Sequence, residues 1–189
     1  MPQGFEPSQG HCGNEEDGSR TSPLGAQITS KAFDRLGLPL DKPAFDSSPD
    51  PDNPGWLKWQ MTDASRYNGT VLGKMLVRRV GDNDVRLQMF PEHRHTNLQN
   101  SVHGGVTLGF IDVAMFGASR MFGLIESGTA VTLDLSVQFM GAGVIGTPLE
   151  AEVELLKETG RLLFLRGVVT QNEDRIAAFS GTIRKPTKR

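Results

Sequence analysis

The sequence predicts an α+β fold in which an antiparallel sheet wraps around one long buried helix. Three observations predict it. Residues 105–122 form a single long apolar segment, with Val106, Phe110, Val113, Gly117 and Met121 on one face of a helical wheel. Leu108, Ile111, Met115, Ala118 and Phe122 make a second, nearly opposite face, and a helix apolar on two faces is enclosed, not laid on a surface. On both sides of it the apolar period changes to two, which is the strand signature.

Before the helix, Met75 and Val77, then Val85, Leu87 and Met89, read as two strands around the turn Gly81-Asp82-Asn83. After it, Val131, Leu133, Leu135, Val137 and Phe139 alternate with Thr132, Asp134, Ser136 and Gln138. Leu149, Ala151, Val153 and Leu155 alternate with Glu150, Glu152 and Glu154. Thr159-Gly160 turns into a strand over 162–170, and Asn172-Glu173-Asp174 turns into another over 176–183. Strands joined by such short turns are antiparallel neighbours.

The amino-terminal third has a different texture. Eight of the 11 prolines lie between Pro2 and Pro54, and the apolar fraction of the whole chain is a low 37%. Residues 1–25 are expected to be a disordered extension, and residues 26–71 a cover segment packed on the main domain, which spans 72–187. Within the cover, 28–36 suits a short helix, and Trp56 and Trp59 are spaced for one helical face.

Charge and composition remove several classes of function. With 20 basic and 22 acidic residues the chain lacks the excess that phosphate backbones require, so no nucleic acid is expected as partner. A lone cysteine, Cys12, excludes an internal disulfide framework and a CxxC pair. No apolar run approaches the ~20 residues that span a bilayer, and the first thirty residues hold no signal-peptide core, so no membrane partner and a cytoplasmic location are expected. His93 and His95 lack further ligands at metal-binding spacing, and no metal is expected. Gly141-Ala142-Gly143-Val144-Ile145-Gly146 fits a dinucleotide fingerprint, but Pro148 and a strand follow where that fingerprint needs a helix.

Asp112 interrupts the apolar helix, between Ile111 and Val113. A carboxylate there is costly unless something satisfies it, so it is a polar group at a subunit contact, a satisfied core carboxylate, or a working group. Upstream, His103-Gly104-Gly105 opens the helix. Glycines there let a ligand approach backbone N–H groups that have no intrahelical partner, with the helix dipole behind them. The alternative is a tight turn without chemistry.

His95, Asn97, His103-Gly104-Gly105 and Asp112, eight residues beyond Gly104, resemble the motif of hotdog-fold acyl-CoA thioesterases of the phenylacetate-degradation (PaaI-like) type. The resemblance extends over about residues 72–186. It implies a hotdog fold and hydrolysis of acyl-CoA to free acid and CoA, with no cofactor, since coenzyme A is part of the substrate. It implies Asp112 as general base or nucleophile and the Gly104 N–H as the group polarising the thioester carbonyl. Asn97 would hold the carbonyl or the attacking water, Thr132 would orient that water, and His103 would support the loop. Gly105 would bind substrate at the helix start, Met115 and Phe116 would lie near the acyl group, and Lys157 and Arg161 are placed to meet CoA phosphates or to form surface ion pairs. Two positions depart from the family pattern: Asn100 stands at the loop glycine, and Thr132 where serine is frequent. The other readings are a non-catalytic acyl-CoA-binding hotdog module and a hotdog hydroxyacyl-thioester dehydratase.

Helix geometry adds a constraint independent of the resemblance. Eight residues at ~1.5 Å each separate Gly104 from Asp112 by roughly 12 Å. One thioester carbon cannot lie within ~3 Å of both a base and an oxyanion donor so far apart. If both act, they come from different chains, which predicts a homodimer with shared sites; relatives commonly pair such dimers into tetramers.

Overall fold

Seven strands pair in the order β2–β4–β5–β7–β8–β9–β6, every neighbour antiparallel, around α1 (Gly104–Met121), the one α-helix among the described residues. The strands are β2 (Leu57–Lys58), β4 (Met75–Arg79), β5 (Asp84–Met89), β6 (Val131–Phe139), β7 (Leu149–Glu158), β8 (Leu162–Gln171) and β9 (Asp174–Arg184). A small separate pair joins β1 (Phe45–Asp46) to β3 (Gln60–Met61). The computed structural model describes residues 44–126 and 130–186, all within one unit, Asp41–Arg189. The expected extension over 1–25 and the expected helix over 28–36 lie outside the described residues.

The turns follow from their residues. Asn172, at φ 57°, takes the left-handed conformation that asparagine tolerates and reverses β8 into β9. At the β7–β8 turn, Thr159 Oγ1 accepts a hydrogen bond from Leu162 N–H at 2.9 Å, the side chain completing the turn. The β4–β5 hairpin sets Val77 opposite Leu87 and Met75 opposite Met89, so these four side chains share the concave face of the sheet. The glycine-rich stretch over 141–146 is a loop between β6 and β7, as expected, held by the buried side chain of Gln171. The Gln171 amide accepts from Val144 N–H and donates to the Val144 and Thr147 carbonyls.

Phe110, Ile111, Ala114, Met115 and Ala118 of α1 are fully buried against Val77, Leu87, Ala151, Val153, Leu165 and Ile183. Gly117 lets the sheet come close: a Cβ there would fall 2.5 Å from Leu87 Cδ2 and 3.4 Å from Trp59 Cε2. The two-faced apolar pattern is not a fully enclosed helix, however. Gly105 and Leu108 are exposed and Asp112, Phe116 and Arg120 half-buried, so one stripe of α1 stays open. Among the described residues, no helix is long and apolar enough to cross a membrane.

The segment before β4 contributes to the core. Trp56 and Trp59 are buried, but on extended chain and not on one helical face: β2 lies between them and pairs with β4, with Leu57 opposite Val77. Sheet pairing and burial override the helical spacing. Asp50 anchors the preceding turn, accepting from the Asn53 side chain and from Lys74 at 3.0 Å. These bonds, Asn53's foremost, hold its carboxyl down at about 2, so it stays ionised well below the usual carboxylate range.

Gly167 of β8 fixes how tightly β8 can lie between its neighbours, because a Cβ there would collide with the Glu152 carbonyl and the Phe179 ring. Gly167→Ala is expected to lower stability by about 1–3 kcal/mol, from overpacking against backbone. Urea unfolding with an unchanged m-value checks it.

Candidate active site

The loop before α1 is built on His95. Glu92 N–H donates to His95 Nδ1 at 2.8 Å, so that nitrogen carries no proton, and Nε2–H faces the Val71 carbonyl at 2.7 Å. The His95 carbonyl in turn accepts from His103 N–H at 2.8 Å. Asn97 folds back on its own loop, its Oδ1 accepting from Gln99 N–H at 2.9 Å and Ser101 N–H at 3.2 Å. Its Nδ2 donates to no group among the described residues. Asn100 sits at φ 59°, the conformation that lets asparagine replace the glycine of the related pattern.

His103 is the N-cap of α1, and Gly105 N–H donates to its Nδ1 at 2.9 Å. Val106 N–H and Thr107 N–H both reach the His103 carbonyl. In the first turn this leaves the Gly104 N–H alone without a partner among the described residues. Gly105, expected to bind substrate, has its N–H already engaged by His103. A Cβ on Gly104 would make ordinary contact with the Phe139 ring at 3.5 Å.

Asp112 lies on the open stripe of the helix, half-buried, and its Oδ1 accepts from Thr132 Oγ1 at 2.6 Å. Strict alternation along β6 puts Thr132 on the face opposite Leu135 and Val137, away from the helix. The register explains the difference. Thr132 pairs with Ile183 and Asp134 with the adjacent Thr182, so Leu133 is an extra residue in a β-bulge. The bulge reverses the alternation, turning Thr132 inward while Val131 and Leu133 are 43% and 52% exposed. A period-two reading of the sequence contains no signal for it.

A cleft of about 250 Å³ opens beside Asp112, walled by Phe45, Trp59, Met61, Val113, Phe116, Ile125 and Ala130, with Asn68, Arg120 and Glu126 as its polar members. Phe45 stacks on Trp59 with ring centroids 4.7 Å apart, and the Arg120 guanidinium lies 5.2 Å from the Phe45 ring. Burial pushes the Arg120 pKa down, partly offset by the charge of Glu126. Phe45, Trp59, Met61 and Asn68 all come from the stretch read as a cover. The sequence signal for Phe45, Trp59 and Met61 was aromatic and apolar residues in an otherwise polar, proline-rich stretch; Asn68 carried none.

The other expected site residues divide. Phe116 lines the cleft with Asp112, whereas Met115 is wholly buried against Gly181 of β9. Arg161 borders a neighbouring hollow beyond the carboxyl end of α1, with Gly123, Leu124 and Lys185. That hollow shares Ile125 and Glu126 with the cleft. Lys157 is exposed on β7 opposite Phe164, outside both. Among the described residues, no three His, Cys, Asp or Glu side chains cluster as metal ligands.

A sheet curled around one helix, with a carboxylate on the helix's open side and a glycine N–H at its start, defines a hotdog-fold protein. Residues 99–178 match the family model for the thioesterase superfamily. Thioesterase superfamily member 2 of zebrafish is 28% identical over 61% of this chain and 84% of its own, with TM-score 0.51. The PaaI protein of the phenylacetic acid degradation operon of E. coli is 19% identical over 59% and 82%, with TM-score 0.53. A hypothetical thioesterase of Streptococcus pneumoniae, solved with coenzyme A, is 17% identical over 61% and 90%, with TM-score 0.54. No curated protein matches the sequence. The resemblance to hotdog thioesterases of the PaaI type therefore holds in fold.

His103→Ala removes the cap of α1 and is expected to cost about 1 kcal/mol of stability. His103→Asn, which restores a capping acceptor, should recover most of it in the same denaturant titration.

Proposed function

We propose that the protein is an acyl-CoA thioesterase that acts as a homodimer, each active site taking Asp112 from one chain and the Gly104 N–H from the other. The observation that carries this reading is the pairing of an N–H at the start of α1, without a partner among the described residues, with a carboxylate two turns along its open stripe. A helix start favours the negative charge that develops on a thioester oxygen during attack. Asp112 Oδ2 takes a proton from water, the water oxygen bonds to the acyl carbon, and the carbon–sulfur bond breaks. The thiolate of coenzyme A then takes the proton back from Asp112. Thr132, bonded to Oδ1, holds the carboxylate in one orientation.

Exposed apolar groups support the dimer. Leu108 of α1 and Val131, Leu133 and Phe139 of β6 all lie along the helix's open side or the sheet edge formed by β6. The coenzyme A held by the streptococcal relative supports the thiol half of the substrate. The acyl half belongs in the apolar cleft beside Asp112, and Arg161 and Lys157 remain candidates for the phosphates. A binding-only module would have no use for an Asp112 carboxylate held by Thr132. A dehydratase would need a catalytic histidine, and neither motif histidine fits: His95 is spent on backbone and His103 on the helix cap.

Asp112→Asn is expected to retain acyl-CoA affinity and lose ~10²–10⁴-fold in kcat, read by thiol release. Thr132→Ala should lose less, since water can replace an orienting hydroxyl.

Subunit mixing tests the shared site. Gly104→Pro deletes the one N–H in question, and the N1 position after an extended residue accepts proline; His103 has φ −64° and ψ 135°. Each variant alone is expected to be nearly inactive. Random exchange of Gly104→Pro with Asp112→Asn makes about half the dimers mixed, each with one intact site, so roughly a quarter of wild-type turnover returns. No recovery, with exchange confirmed by native mass spectrometry, would sink the shared site.

A further inference from the structure

Asp112 has neighbours on two flanks, and only one of them belongs to the sheet. Going around α1 at about 100° per residue, Met115 lies about 60° to one side of Asp112 and Gly109 about 60° to the other. On the Met115 side stand β9 and β6, from which Thr132 reaches Asp112. On the Gly109 side stands Tyr67, which opens the turn Asn68–Leu72. A Cβ placed on Gly109 would collide with the Tyr67 hydroxyl and lie 3.2 Å from Tyr67 Cζ. The phenol end therefore rests on the helix at the one residue that leaves room for it. Gly109 and Asp112 are three apart on the helix surface, where Cβ positions lie about 5–6 Å from each other. Asn68, the next residue, lines the cleft with Asp112. Tyr67 is itself 50% exposed, so this flank of Asp112 is bordered by solvent.

We propose that Tyr67 is a water-positioning residue, its hydroxyl oxygen accepting a hydrogen bond from the water that Asp112 Oδ2 deprotonates. Oδ1 is committed to Thr132, and Oδ2 accepts from no described residue. A water bridging Oδ2 and Tyr67 Oη gives one proton to the base and points the other at the phenol. Its lone pair is then aimed out of the helix surface at the acyl carbon. Tyr67 and Gly109 have complementary shapes: the glycine weakens the helix interior and in return admits the hydroxyl.

The proposal rests on the thioesterase reading, and the experiment separates the two. Tyr67→Phe is expected to lower kcat for acyl-CoA hydrolysis about tenfold, the effect of one hydrogen bond, with KM within twofold and an unchanged Tm. Given hydroxylamine as acceptor, a nucleophile that needs no such alignment, Tyr67→Phe should form hydroxamate at the wild-type rate. Gly109→Ala should reproduce the hydrolytic defect, and the double variant should be no worse than either single one. Hydrolysis by Tyr67→Phe within twofold of wild type would overturn the proposal and leave the thioesterase reading standing. An equal loss with hydroxylamine would also overturn it, placing the hydroxyl on the thioester instead of the water. Wild-type protein with no turnover of any thioester would overturn both.

Discussion

An α-helix is a rigid ruler, and the ruler here is half-wrapped. The sheet takes Phe110, Ile111, Met115 and Ala118 out of water and clamps α1 along its length. That burial fixes where everything on the opposite stripe must be. Gly104 stands at one mark, Asp112 about 12 Å further on, and Arg120 as far again. Neither side-chain motion nor loop closure can shorten these intervals, because the backbone hydrogen bonds and the core would have to break first. The uncovered stripe follows from the same packing: a single sheet layer curls around one side of a helix, and the other side waits for a different surface.

Much of this was legible from residue spacing. The strands, their turns and the long central helix follow from periodicity, and Asp112 and His103-Gly104-Gly105 from chemistry out of place in an apolar run. What escaped has physical causes. Trp56 and Trp59 sit at a helical interval, yet sheet pairing of Leu57 and Lys58 determines their conformation. Met115 and Phe116 are adjacent in sequence, and the 100° step between them puts one in the core and the other in the cleft. Asn97 commits its oxygen to the turn that shapes the loop and keeps its Nδ2 without a partner among the described residues.

The cleft and its surroundings are assembled from two stretches of the chain. The stretch matched to the thioesterase superfamily, 99–178, contains Gly104, Asp112 and Thr132. Phe45, Trp59, Met61 and Asn68 precede it and close the cleft from outside. Gly104 and Asp112 sit on the helix and Thr132 on the sheet, where packing fixes their mutual geometry. Short strands and turns supply that outer wall. Arg120 links the two, rising from the helix to lie over the aromatic pair.

Leu133 makes strand β6 a device with parity. Every residue upstream of an extra one in a strand changes face, while every residue downstream keeps its own. Leu135, Val137 and Phe139 stay in phase with the core, and Thr132 is set in phase with Asp112. The two halves of the strand thus obey different rules of even and odd. One consequence concerns insertions and deletions between residues 131 and 139: loss of one residue is felt as a reversal of face, and loss of two as a mere shortening. Substitution tables treat all positions of a strand alike, but here it is arithmetic modulo two that decides whether the hydroxyl meets the carboxylate.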